Sequence, residues 1–131
     1  MTKKVKVKLS EIYGSKFDID GKLRIYGTLG YQITNGSPVT LWTATSDNCI
    51  VLDHDTYLHW LGVSNEFELM EGEEISIGGY LMDHDIILGP NDMGTRWRPV
   101  SYNDIPCTEN EIRFDEHEGL EAKIIFSVTE V

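Results

Sequence analysis

Two short segments carry the same triplet of potentially reactive side chains: Asp53-His54-Asp55 within LDHDTYL and Asp83-His84-Asp85 within MDHDIIL. Carboxylate and imidazole together could ligate zinc, iron or manganese. Strand geometry works against that use. In an extended run residues two apart share a face and the residue between points the other way. One triplet then presents its aspartate pair or its histidine, hardly all three. A polar strand end followed by a turn accounts for the same aspartates without a metal, and neither a metal nor any other cofactor is expected. The chain has no nucleophile elbow, P-loop, dinucleotide-binding glycine run or metalloprotease helix, and is expected to be non-enzymatic.

The second feature is an acidic cluster. Glu66, Glu68, Glu71, Glu73 and Glu74 crowd around one turn, and Asp53, Asp55, Asp83 and Asp85 belong to the same cation-free stretch. Residues 25–95 hold eleven acids and no Lys or Arg, within a net charge of −11. Seven of the eleven basic residues lie in residues 1–24. Tyr57 and Trp60 neighbour the acids in sequence. Acids flanked by aromatics make anchors for Arg and Lys of a partner, combining charge steering with a desolvated centre. These eleven residues are therefore the expected partner-binding set. The expected partner is a basic protein, such as a nuclease toxin, and the expected role is that of an inhibitor or immunity-type protein. A field of this sign repels nucleic acid and anionic lipid, so neither nucleic acid nor a membrane is expected as partner. The same charge would also serve solubility alone.

These residues must be positioned by strands, because the dominant periodicity is two. Val5, Val7 and Leu9 alternate with Lys4, Lys6 and Lys8, as in a half-buried strand with a lysine-lined, edge-protecting face. Gly21–Ile33 is a strand interrupted by Gly27 and Gly30, and Asn35-Gly36 signals a hairpin turn into Val39–Thr45. Cys49–Leu52 is a short strand. Residues 53–65 are the only candidate helical turn, with Asp55 as cap and Gly62 as stop. Glu66–Met70, Glu74–Leu81, Asp85–Leu88, Ile112–Phe114 and Leu120–Val128 read as further strands, and residues 89–110 as a loop-rich region with three prolines. LRIYGTL (23–29) and ISIGGYL (75–81) echo one another, as do the two Asp-His-Asp segments.

These 131 residues describe one all-β domain, a small barrel or sandwich with at most one short helix. Leu23–Leu29, Val39–Thr45, Cys49–Leu52, Glu74–Leu81 and Asp85–Leu88, in that order, resemble an OB-fold, a five-stranded partly open Greek-key barrel. The resemblance implies a face that stacks bases on aromatics over a basic groove. Tyr26, Tyr31 and Trp42 would supply the aromatics and Arg96-Trp97-Arg98 a stacking clamp. The corresponding strands carry no cation after Arg24, so nucleic-acid binding stands second to the inhibitor reading and metal binding third. No apolar run reaches the ~20 residues of a membrane-spanning helix, and the lysine-rich start lacks the apolar core of a signal peptide. A cytoplasmic location with Cys49 and Cys107 as free thiols is the corresponding expectation.

Overall fold

The computed structural model describes residues 1–131 as nine antiparallel strands and two single 3-10 turns, with no α-helix. The strands are β1 (Thr2–Lys16), β2 (Lys22–Ile33), β3 (Val39–Ala44), β4 (Ile50–Asp53), β5 (Leu58–Met70), β6 (Glu74–Asp85), β7 (Gly89–Ser101), β8 (Cys107–Phe114) and β9 (Glu121–Glu130). They form two sheets. One has the order β5-β1-β9-β8; in the other, β3-β2-β6-β7, β4 also pairs with β2. The central strands of each sheet are apolar on one face, and stacking the two apolar faces removes both from water. Val5, Val7, Leu9 and Ile12 of β1 and Ile124, Phe126 and Val128 of β9 are buried in this way. They join Leu23, Ile25 and Leu29 of β2 and Ile75, Ile77 and Leu81 of β6 in a single core.

The all-β expectation holds as a sandwich, and the OB-like barrel is corrected. Each sheet keeps two free edges, β5 and β8 in one, β7 and the β3/β4 side in the other. Length explains much of the difference. β5, β6 and β7 run 12 or 13 residues where the sequence suggests short pieces.

Several local expectations change with it. The helical turn at 53–65 is a tight turn leading into β5, which pairs with β1 from Leu58↔Tyr13 to Met70↔Thr2. Cross-strand pairing overrides the Leu58/Leu61 spacing, and Gly62, read as a helix stop, takes φ +62° near a register shift. The loop-rich 89–110 is mostly β7 and the start of β8. β7 pairs only with β6, and prolines are tolerated on such an edge strand. The lysine-lined strand is no edge, since β1 lies between β5 and β9. Its Lys4 and Lys6 stand opposite Glu68 and Glu66 of β5, so the neighbouring strand supplies complementary charge on the exposed face. Cys49 and Cys107 are free, as expected.

Both echoes acquire a spatial meaning. The two glycine-containing segments lie side by side, with Gly30 opposite Gly78 and Leu29 opposite Gly79. The two Asp-His-Asp segments flank the start of β2, where Lys22 pairs with Asp53 and Ile25 with Asp83. The turns at 17–21, 54–57 and 86–88 therefore share one end of the sandwich. The other end holds both termini. The Val131 N–H donates to the Lys4 carbonyl at 2.8 Å, and the Glu71 N–H to the Met1 carbonyl at 2.9 Å.

Candidate functional site

At the turn-bearing end, local chemistry builds each loop from an aspartate. Asp85 closes the β6–β7 hairpin, its Oδ1 accepting the N–H groups of Ile87 at 2.8 Å and Leu88 at 2.9 Å. Gly89 supplies the positive φ of +92° that the return requires. Asp53 does the same for the next turn, its Oδ1 accepting from Asp55 at 2.9 Å and Thr56 at 2.6 Å. In the β1–β2 turn the Asp18 carbonyl accepts from Gly21 at 2.8 Å, and the Asp20 Oδ1 accepts from Lys22 at 3.0 Å. These are side-chain turns, in which a carboxylate satisfies backbone donors that no strand partner reaches.

What the turns display is unusual for turns. Ile86, Ile87 and Leu88 form the three-residue tip of the β6–β7 hairpin and are 68%, 89% and 84% exposed. Ile19, in the β1–β2 turn, is fully exposed. Turn positions ordinarily go to Gly, Pro, Asn, Asp and Ser, and here they hold four large aliphatics that nothing in the chain covers. Ile19 and Ile86–Leu88 flank an open cleft of about 440 Å³, whose remaining wall is Asp18, Asp20, Asp85 and Arg24. Tyr57 and Trp60, at the start of the neighbouring β5, are also exposed, Trp60 at 71%. A fourth loop at this end, 115–120, carries no such tip. Its Asp115 and Glu116 hold Arg96 at 3.6 and 2.9 Å.

The electrostatics are equally local. Asp83 continues the inward-facing row of β6 past Leu81 and is 1% exposed. Burial pushes its carboxyl above the ordinary carboxylate value. The Arg24 backbone N–H at 2.8 Å and the Asn91 amide at 3.2 Å pull it partly back. Asp20 goes the other way, held below its ordinary value mainly by its bond to the Arg24 guanidinium at 2.8 Å. Asp85 is also held low, by the N–H groups of Leu88 and Ile87.

The sequence-predicted set is split by this geometry. Asp53, Asp55, Tyr57, Trp60, Asp83 and Asp85 gather at or near the turn-bearing end. Glu71, Glu73 and Glu74 lie beyond the far end of β5, roughly 40 Å away at ~3.3 Å per residue. There Glu73 accepts the Met70 N–H at 2.7 Å, and Glu71 sits 3.9 Å from the terminal amine. Glu66 and Glu68 lie between, facing the lysines of β1. No three His, Cys, Asp or Glu side chains converge as a metal would require. Of the residues assigned to base stacking, Tyr31 is buried and accepts a hydrogen bond from Asn65 at 2.7 Å. Arg98 is committed to the Glu111 carbonyl and the Asn110 side chain. Sequence reasoning missed Asp18, Ile19, Asp20, Arg24 and Ile86–Leu88. The available signal was aliphatics placed inside turn chemistry, in DIDG and in DIILGP.

No protein-family model and no curated protein matches the sequence. Solved structures do match in fold. Human GIVD cytosolic phospholipase A2 is similar at a TM-score of 0.51 and 11% identity, over 99% of this chain and 15% of that one. The same enzyme in complex with methyl gamma-linolenyl fluorophosphonate gives 0.50 and 13%, over 99% and 17%. A C2 domain of plant extended synaptotagmin 1 gives 0.46 and 11%, over 98% and 93%. The chain thus spans about a sixth of the length of the phospholipase. The likeness is one of fold, and it overturns both the OB resemblance and the inhibitor or antitoxin role. That role rested on composition, and neither the fold nor the dispersed glutamates support it: the chain is a sandwich of two antiparallel sheets, a fold it shares with part of the phospholipase.

Proposed function

We propose that this protein is a non-catalytic membrane-docking module that inserts the tips of its β1–β2 and β6–β7 turns into the interfacial layer of a phospholipid bilayer. The observation that carries the reading is the exposure of Ile19, Ile86, Ile87 and Leu88 at the apex of one end. Contiguous exposed aliphatics on a folded domain mark a surface that is covered in use. Protruding tips fit a deformable lipid layer better than a rigid protein face. Each aliphatic is worth about 1.5–3 kcal/mol when fully taken from water. Four of them, less the cost of association, suffice for reversible docking. Tyr57 and Trp60, exposed in and just after the 54–57 turn of the same end, are rings of the kind that settle between hydrocarbon and water. The fold agrees with the reading, since it is shared with part of an enzyme named for its action on phospholipid. The proposal departs from the sequence-based expectation of no membrane partner. No helix is long and apolar enough to cross a membrane, so the contact proposed is peripheral.

Sedimentation with phosphatidylcholine vesicles tests this directly. The wild-type protein should pellet with vesicles, and its tryptophan emission should shift to the blue through Trp60, the most exposed of the three. Replacing Ile86, Ile87 and Leu88 together by Ser should lower partitioning by at least about tenfold, about 1.4 kcal/mol, with an unchanged melting temperature. Equal pelleting of the two proteins would sink the reading. So would a wild-type dimer that the triple variant loses, which would assign the tips to self-association.

A further inference from the structure

The apolar tips surround a group of carboxylates, and their chemistry raises a second question. Asp18 and Asp20 come from the β1–β2 turn, Asp83 and Asp85 from the end of β6. Carboxylates drawn together from two loops are the donors a hard cation such as calcium takes, with six to eight oxygens at about 2.3–2.6 Å. The residues present do not fit that use. Both oxygens of Asp83 already accept hydrogen bonds, from the Arg24 N–H and the Asn91 amide. One oxygen of Asp85 holds two backbone donors. Asp20 is engaged through both oxygens, by the Lys22 N–H and the Arg24 guanidinium, and Asp18 accepts from the Ile19 N–H at 2.8 Å.

Among these acids lies a cation that belongs to the chain. Arg24 leaves the outer face of β2 with its side chain only 15% exposed. It shares the cleft wall with Asp18, Asp20 and Asp85, and its backbone N–H binds Asp83. Its charge favours the ionised form of Asp20, which it binds directly, and more weakly that of Asp83 and Asp85, where burial and backbone donors respectively dominate. It is the one Lys or Arg lining the cleft. A guanidinium is permanently charged and only weakly hydrated, which suits a partly enclosed site facing several carboxylates.

The geometry points to Arg24 as a tethered counter-ion that does the neutralising a bound divalent cation would otherwise do, so that the loop end docks without calcium. This rests on the membrane-docking reading for its consequence, and on the side-chain geometry alone for its cause. Without Arg24, the carboxylates of Asp18, Asp20 and Asp85 would line the cleft with no cation beside the tips that must enter lipid. With it, the turns hold their arrangement whatever the divalent cation concentration.

Two measurements separate this inference from the reading it rests on. Calorimetric titration of the wild-type protein with calcium chloride, across the micromolar to millimolar range, should give no saturable heat. Sedimentation with phosphatidylcholine vesicles should be equal in calcium and in chelator. Arg24→Gln should lower pelleting roughly tenfold in chelator, and added calcium, by screening the Asp18, Asp20 and Asp85 carboxylates that have lost their counter-ion, should restore part of it. Arg24→Lys, which keeps the charge, should behave as wild type, and decides the matter should Arg24→Gln fail to fold. Saturable calcium binding by the wild type would overturn the inference, as would a folded Arg24→Gln indifferent to calcium or an Arg24→Lys that binds it. Failure of the wild type to pellet under either condition would end the docking reading while the calorimetry still judged Arg24.

Discussion

Asp83 stands where an apolar residue would continue the inward row Ile75, Ile77, Leu81, and its cost can be followed with pH. Burial raises its carboxyl above the ordinary 3.8, so the folded protein holds this proton more firmly than the unfolded chain. Its contribution to stability is therefore complete below 3.8 and declines as pH rises through the interval above it. Asp20 and Asp85, both held low, contribute in the opposite sense: their stabilisation is present above 3.8 and is lost as the solution is acidified. Subtracting the thermal-melt profile of Asp83→Asn from that of the wild type isolates the first effect. The variant should match the wild type at low pH and equal or exceed it near neutral pH, by up to about 1 kcal/mol, because the amide still accepts from the Arg24 N–H. A variant much less stable than the wild type near neutral pH would mean that the ionised carboxylate is required. At this scale the sequence sets Asp83 on the surface, and the structure buries it. Asp83 groups with surface acids because alternation identifies a strand's two faces without saying which lies inward near a loop.

At the scale of elements, strands were legible wherever polar and apolar residues alternate. That held for β1, β2, β6 and β9, while Val39–Thr45 was legible from its β-branched residues. It failed where a different physical cause governs. Ile86–Leu88 reads as a strand because it is an uninterrupted apolar run, and only the Asp85 side chain and the freedom of Gly89 make it a turn. β7 reads as a loop because prolines are scored against strands, although an edge strand tolerates them. The glycine breaks were legible, but their partner was not. Gly78 takes φ +152° in the middle of β6, and a side chain there would run into the Arg96 carbonyl of β7. Gly78→Ala should consequently lower stability by about 1–3 kcal/mol, several degrees in melting temperature, with no effect on the isolated turns. An unchanged melting temperature would show that the two strands can part at that point without loss.

On the scale of the whole molecule, the net charge and its uneven distribution were plain from the sequence, and their spatial meaning was not. The acids that read as one surface occupy both ends and one sheet face, because a strand of 13 residues carries the chain from one end of the molecule to the other. At the turn-bearing end the aspartates outnumber Lys16, Lys22 and Arg24, and the molecule as a whole carries −11. A surface rich in anionic lipid should therefore repel it. Pelleting with pure phosphatidylcholine vesicles should exceed pelleting with vesicles containing phosphatidylserine, and added salt should narrow the gap. The opposite preference would indicate that the lysine face of β1, and not the turns, meets the lipid.

The pairing of Val131 with Lys4 places both chain ends together, a full strand length from Ile19 and Ile86–Leu88. At ~3.3 Å per residue, the stretch from Lys4 to Lys16 puts about 40 Å between them. A domain standing on its turns is then a rigid post of that height. Anything joined to either end would be carried clear of the lipid headgroups, free to swivel about one shared attachment point.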